Sequence, residues 1–160
     1  MSQRAEALAD RIIQGASALA AFAEELTDDQ WQTQVPGDGR TVAVVVHHVA
    51  SVYPIEIELA RTLASGNAIE GVTWDAVAQM NAEHEGKHAA PSRQEAADLL
   101  RRSSQIAADA VRAFTDAELD SAAPVSLNAD APLTTQFFIE DHALRHSFHH
   151  FAKIRAALGA

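Results

Sequence analysis

Apolar residues recur at helical intervals along most of the chain. Within residues 3–26 they are spaced by three and four positions: Leu8, Ile12, Ala16, Leu19, Ala23 and Leu26. A helix turns about 100° per residue, so this spacing puts the apolar side chains on one stripe of a single helix. No segment alternates apolar and polar residues as a half-buried strand does. The pattern therefore predicts an all-α fold.

Three further long helices and one shorter segment follow from the same periodicity. The second helix covers residues 41–63, and a shorter, weaker helical segment covers 74–89. The third helix begins at the capping-box pattern of "PSRQE" (91–95), and the fourth covers 132–158. Residues 116–131 are predicted to be a long connection. Four long helices with one short extra helix predict a four-helix bundle.

Composition limits the chemistry of the chain and its partners. With 160 residues the chain has the length of one domain, and we predict a single domain over residues 1–160. The absence of cysteine excludes disulfides, thiolate metal ligands and a protein thiol nucleophile. The formal charge of −10 disfavours nucleic acid and anionic membranes, so a small molecule is the expected partner. Since neither a signal-peptide pattern nor an apolar run of 18 residues occurs, a cytoplasmic location is predicted.

Four of the eight histidines lie in "HALRHSFHHF", residues 142–151. On a helical wheel, His146 and His150 share the inward face with the apolar residues of the fourth helix. His142 and His149 lie at the border of that face. Residues four positions apart have neighbouring side chains, so the inward pair is spaced to bind one cation.

The second predicted helix contributes one more inward histidine. The wheel places His48 among the apolar residues and His47 on the flank. His84 and His88 also have ligand spacing, but they lie in a polar segment, which predicts a solvated face. Three buried imidazoles without partners would be costly, whereas one shared cation satisfies all of them. Metal binding is therefore the leading interpretation, with hydrogen-bonded core histidines and a protonation switch as alternatives.

Two further groups of residues have more than one interpretation. A second apolar arc on the fourth helix indicates either packing against a neighbouring helix or a homodimer surface; it consists of Leu144, Phe148, Phe151 and Leu158. Trp31, Trp74 and Tyr53 are predicted to be packing residues rather than residues that stack on a ligand.

The segments "DGRTVAVVVHHVASV" and "EDHALRHSFHHFAKI" resemble the DinB-like (DinB/YfiT-type) family of metal-binding four-helix bundles. "LTDDQWQTQVPGDGRTV" and "VTWDAVAQMNAEH" extend the resemblance over most of the chain. The resemblance implies an up-down-down-up bundle, metal ligands His48, His146 and His150, and frequently a homodimer. It also implies zinc or nickel, with iron in some relatives. Relatives include S-transferases that use bacillithiol or mycothiol, a mycothiol-dependent maleylpyruvate isomerase and metal-dependent hydrolases.

Three hypotheses for function follow. A cation held by three neutral imidazoles keeps an open position and lowers the pKa of a bound thiol or water. The leading hypothesis is a thiol-dependent transferase acting on an electrophilic small molecule, with the thiol as cosubstrate and His149 or His142 as proton carrier. The second is a hydrolase that uses water instead of a thiol. The third is a non-catalytic bundle that binds a metal or another ligand.

Overall fold

The computed structural model describes residues 2–160, in which helices dominate. In chain order the elements are α1 (Gln3–Glu25), α2 (Asp28–Trp31), α3 (Val42–Ala64), α4 (Trp74–Lys87), α5 (Arg93–Arg112), α6 (Asp116–Asp120), β1 (Ala122–Val125), β2 (Ala131–Thr134), α7 (Thr135–Ile139) and α8 (Arg145–Leu158). The long helices α1, α3 and α5 and the continuous helical stretch from α7 to α8 form the predicted bundle, and α4 is the predicted short extra helix. The fold class is confirmed.

Hydroxyl side chains set where the long helices begin. Ser2, Thr41 and Ser92 each accept a hydrogen bond from a backbone N–H of the first helical turn, at the starts of α1, α3 and α5. These N–H groups have no partner within their own helix, so a capping oxygen stabilises each start by about 1 kcal/mol. The caps agree with the helix starts predicted from sequence to within a few residues.

The first two long helices, α1 and α3, do not pack directly against each other. Both α1 and α3 pack mainly against α5 and α8, whereas α1 and α3 contact each other little. The first two long helices therefore lie diagonally across the bundle, as the up-down-down-up arrangement requires. Helix α3 thereby faces α8, the helix that carries the C-terminal histidines.

Helix α3 is the central helix of the bundle. Fifteen of its 23 residues are buried, including both histidines of "VHHV". By length and composition alone this helix could span a membrane, but most of its apolar stretch is buried inside the bundle. Burial on all sides explains why its sequence is apolar around most of its circumference.

The long connection predicted over 116–131 contains secondary structure that the sequence analysis did not predict. These residues form α6 and then an antiparallel hairpin, in which β1 pairs with β2 from Ala122↔Thr134 to Val125↔Ala131. Each strand has four residues, and Pro124 faces Pro132, so no alternating pattern was available to detect. Because Pro132 belongs to β2, the last helical stretch begins at Thr135 rather than at residue 132.

A π-helical turn at Glu140–Leu144 joins α7 to α8. Such a turn inserts one residue into the helix and changes the phase of everything beyond it. A wheel with a constant step therefore does not relate Ile139 to His150 correctly. His146 and His150 both lie beyond the turn, so their position relative to each other is preserved.

The second apolar arc of the last helix is mostly a packing surface. Leu144 is buried, Phe151 packs against Phe22 with ring centroids 5.1 Å apart, and Leu158 is partly buried. Helices α1 and α8 approach closely at Gly15, where a Cβ atom would collide with Ser147 and with Phe148. Phe148 is 40% exposed. These contacts favour the packing interpretation, and the homodimer remains a prediction.

Candidate metal centre

Three imidazole rings converge between α3 and α8. His48 lies on α3, and His146 and His150 lie one turn apart on α8, where their rings stack with centroids 4.8 Å apart. One ring nitrogen of each lies within 4.8 Å of the other two. Nε2 of His48 and Nε2 of His146 are 3.2 Å apart, close to the edge of about 3.3 Å expected for tetrahedral zinc ligands. We call this group the three-histidine cluster, and its spacing suits a divalent cation.

A buried carboxylate orients one ring of the cluster. Nδ1 of His146 lies 2.7 Å from Oε1 of Glu56, which is 7% exposed. The carboxylate accepts the Nδ1–H, so the lone pair of Nε2 points toward His48 and is free for a cation. The sequence analysis did not identify Glu56. A signal was present, because Glu56 interrupts an apolar stretch and lies eight residues after His48, about 80° away on the same helix.

Two of the three imidazoles are held neutral by their surroundings. Burial, and after it the proximity of His146, lowers the pKa of His48 to about 2 and that of His150 to about 3. A neutral imidazole keeps a nitrogen lone pair for a cation. Nδ1 of His150 is also buried without a hydrogen-bond partner within residues 2–160, which is costly. The donor set therefore fits a divalent metal ion.

The cluster lies at one end of a cavity of about 610 Å³. Its apolar side is formed by α3 and α4, through Val52, Ile55, Leu59, Val77 and Met80. Trp74 lines the same side and is 66% exposed, so the prediction that it is a packing residue is wrong. Trp31 and Tyr53 are buried as predicted. The lining also includes charged and polar side chains: Arg40, Asp141, His142, Arg145, His149 and Lys153.

Both predicted proton carriers line this cavity. His149 is exposed, and its ring meets that of His150 edge-on with centroids 5.2 Å apart. Partial burial, and then Lys153, lowers the pKa of His149. His142 stacks on Phe138 at 4.2 Å, and burial lowers its pKa. The structure therefore places both beside the three-histidine cluster, and their catalytic role remains a prediction.

A buried ion pair between Arg40 and Asp38 lies near the cluster. Nε and Nη2 of Arg40 donate to the two carboxylate oxygens of Asp38, at 2.6 and 2.9 Å. Burial would raise the pKa of Asp38, but these bonds and the charge of Arg40 outweigh it and hold the pKa below its usual value. Nη1 of Arg40, which lines the cavity, is buried without a partner in the described part of the chain. The sequence analysis did not identify this arginine, because nothing in the spacing of a loop marks it.

The remaining histidines lie differently from their predicted positions. His47, predicted on the flank of its helix, is 3% exposed, as buried as His48. Helix α4 covers it, and Nε2 of His84 lies 2.8 Å from its Nδ1. His84 is half-buried rather than solvated, and burial followed by His47 lowers its pKa to about 4. His88 is exposed as predicted, although its ring stacks on His47.

Removing the carboxylate behind His146 is expected to weaken metal binding. We expect Glu56→Gln to lower the affinity for zinc by about 10-fold and Glu56→Ala by up to about 100-fold, as for other residues that orient a ligand histidine. The measurement is a competition titration with a chromogenic chelator. Glu58→Gln is the matched control, because the Glu58 side chain on the same helix is 72% exposed. An unchanged affinity in both Glu56 variants would contradict this role.

Comparison with known proteins agrees with the fold. The sequence model of the mycothiol maleylpyruvate isomerase N-terminal domain matches residues 13–151. No curated protein matches the chain in sequence. A solved structure of YfiT from Bacillus subtilis, described as "a probable metal-dependent hydrolase with an unusual four-helix bundle topology", superposes with a TM-score of 0.73. It has 19% sequence identity, and the alignment covers 98% of this chain and 87% of that one. The predicted DinB/YfiT-type resemblance is confirmed, and the chain belongs to the mycothiol maleylpyruvate isomerase N-terminal domain family.

Proposed function

We propose that the chain is a metal-dependent enzyme that activates a low-molecular-weight thiol for transfer to an electrophilic small molecule. His48, His146 and His150 would hold one divalent ion, with zinc or nickel expected and iron as the alternative. The observation that carries the proposal is the three-histidine cluster facing a cavity in a chain without cysteine. A sulfur nucleophile must then come from a cosubstrate, and the name of the matched family contains such a thiol, mycothiol.

The ligands determine what a bound ion could do. A divalent cation held there would supply Lewis-acid chemistry and lower the pKa of a thiol or water. Neutral His48 and His150 do not offset the positive charge of the ion, and Glu56 fixes the orientation of His146. The cluster contributes three ligand nitrogens, which is the number typical of catalytic rather than structural zinc sites.

The cavity supports binding of a molecule that has both an apolar and an anionic part. Val52, Val77 and Met80 can contact the apolar part and exclude water from the cluster. Arg40 and Lys153 line the same cavity and can bind a carboxylate. His149 at the edge of the cavity is neutral at neutral pH and can accept the thiol proton, and His142 is the alternative acceptor.

The test is turnover by metal-loaded protein made without a histidine tag. The protein is assayed with a panel of electrophiles, each with and without glutathione, mycothiol or bacillithiol. We expect turnover that requires both thiol and metal and that is lost in His150→Ala. Arg101→Gln is the control for activity lost during purification, because it changes a surface residue that pairs with Glu24. Complete absence of thiol-dependent turnover with every pair would count against the proposal.

Hydrolysis is the second candidate function, and the description of the similar YfiT structure favours it. The same cluster would then act on water, and ester turnover would proceed at full rate without thiol.

A non-catalytic bundle is the third candidate. It predicts no reaction with either panel and a large loss of thermal stability when metal is removed.

Arg40 is expected to select substrates that carry an anionic group. We expect Arg40→Gln to raise KM by about 10-fold or more for a carboxylate-bearing substrate, since a charge-assisted hydrogen bond contributes about 1.5 to 3 kcal/mol. KM for the methyl ester of the same substrate should change little. The exposed Arg61→Gln on α3 is the matched control. Equal changes for acid and ester would indicate a structural role instead.

A further inference from the structure

A second group of histidines lies outside the three-histidine cluster, where α4 covers α3. It consists of His47 on α3 with His84 and His88 at the end of α4, and we call it the outer histidine cluster. Nδ1 of His47 and Nε2 of His84 are 2.8 Å apart. The ring of His88 stacks on that of His47 with centroids 4.3 Å apart and lies 5.1 Å from that of His84.

Two ring nitrogens of this cluster already converge, and the hydroxyl of Ser51 lies beside them. Oγ of Ser51 lies 3.3 Å from Nδ1 of His47 and 3.4 Å from Nε2 of His84. Adjacent ligands at 90° with bonds of about 2.0 to 2.1 Å are about 2.9 Å apart, and tetrahedral ligands about 3.3 Å apart. The observed distances of 2.8, 3.3 and 3.4 Å lie close to these two values. A cation could therefore replace the shared proton without a large movement.

We infer that His47, His84 and His88 form a second site for a divalent first-row transition-metal ion, distinct from the three-histidine cluster and accessible to solvent. His88 is exposed and lies just beyond the last residue of α4, so its ring can turn toward the ion. Imidazole nitrogens prefer zinc, copper and nickel to calcium or magnesium. The inference does not depend on the proposed function, because it requires only binding.

His84 belongs to the outer histidine cluster rather than to the first one. Its ring lies 5.6 Å from that of His48, centroid to centroid, but its Nε2 points to His47. Within residues 2–160, the only group of three ligand residues with all ligand atoms within 4.8 Å is His48, His146 and His150. The neighbouring residues His47 and His48 lie about 100° apart around α3, so the helix presents one histidine to each site.

An ion in the outer histidine cluster would hold α4 against α3. None of the residues of α4, all of which the structure describes, is buried. The helix nevertheless forms part of the cavity lining through Trp74, Val77 and Met80. Because few apolar contacts anchor α4, a bond between the helices there should reduce its opening. Occupancy of the second site would thereby control how firmly this side of the cavity is closed.

The experiment measures nickel binding to the full chain without a histidine tag, by equilibrium dialysis and mass spectrometry. We expect two ions per wild-type chain, a tight one and a weaker one, but one ion in His84→Gln and in His88→Gln. His150→Ala should keep the weaker ion. His149→Gln, which changes an exposed histidine outside both clusters, should still bind two ions.

A second measurement is hydrogen exchange of the backbone amides. Exchange in α4 should slow by about 10-fold when the second ion binds the wild type, and should not slow in His88→Gln.

Several results would overturn the inference. One ion per wild-type chain at saturating nickel would do so, as would two ions in both His84→Gln and His88→Gln. Loss of the tight ion in His84→Gln while the weaker one remains would assign His84 to the first site instead. Because His88 is exposed, His88→Gln is expected to fold even if His84→Gln does not. Failure of the second site alone would leave the three-histidine cluster and the proposed function unaffected.

Discussion

Replacing His48, His146 or His150 with alanine is expected to abolish tight binding of a divalent ion and all metal-dependent turnover. Each variant removes one ligand of three, and two imidazoles hold an ion much more weakly. Loss of a residue that only orients a ligand costs about 10- to 100-fold in affinity, so loss of the ligand itself should cost more than about 100-fold. Metal content is measured by mass spectrometry after dialysis against a weak chelator, which empties exposed sites.

The matched control is His149→Ala, which changes the residue next to His150 in sequence and should keep the tight ion. Circular dichroism of each metal-free variant reports whether the bundle still forms. Retention of the ion in any one of the three folded ligand variants would contradict the role of that residue. Retention in all three would remove the metal site, and with it the proposed chemistry.

Removing Asp38 is expected to destabilise the protein by about 3 kcal/mol. The side chains of Arg40 and Asp38 are only 11% and 7% exposed, and their two hydrogen bonds are short. Asp38→Ala leaves a buried guanidinium without its partner, a change that typically costs about 3 to 5 kcal/mol. The measurement is the free energy of unfolding in urea, for metal-free protein so that metal binding does not contribute.

The double variant Asp38→Ala/Arg40→Ala separates the ion pair from the loop that carries it. Removing both charges should recover much of the stability lost in Asp38→Ala, because an absent pair leaves no buried charge. The coupling between the two changes gives the contribution of the pair. A loss of less than about 1 kcal/mol in Asp38→Ala would show that the guanidinium of Arg40 turns to solvent instead.

The parts of the fold that the sequence predicted are those with long, regular patterns. Residues 41–63 were predicted to be helical, and the structure has a helix at Val42–Ala64. An apolar pattern that repeats over about six turns predicts a helix even where single residues depart from it. The hairpin over residues 122–134 was missed, because two strands of four residues with paired prolines carry no periodicity. The π-helical turn was missed for a related reason, since it changes one hydrogen-bond ring and leaves the composition unchanged.

The sequence alone determined the four long helices and the inward position of His48, His146 and His150, because both depend on spacing within a single helix. Only the tertiary structure decided which residues from different helices meet. It placed Glu56 behind His146, Arg40 beside the cavity and His84 over His47. Those contacts depend on how helices cross and where loops return. Helical periodicity carries no information about either, so a residue such as His47, solvated on its own helix, becomes buried once α4 packs over it.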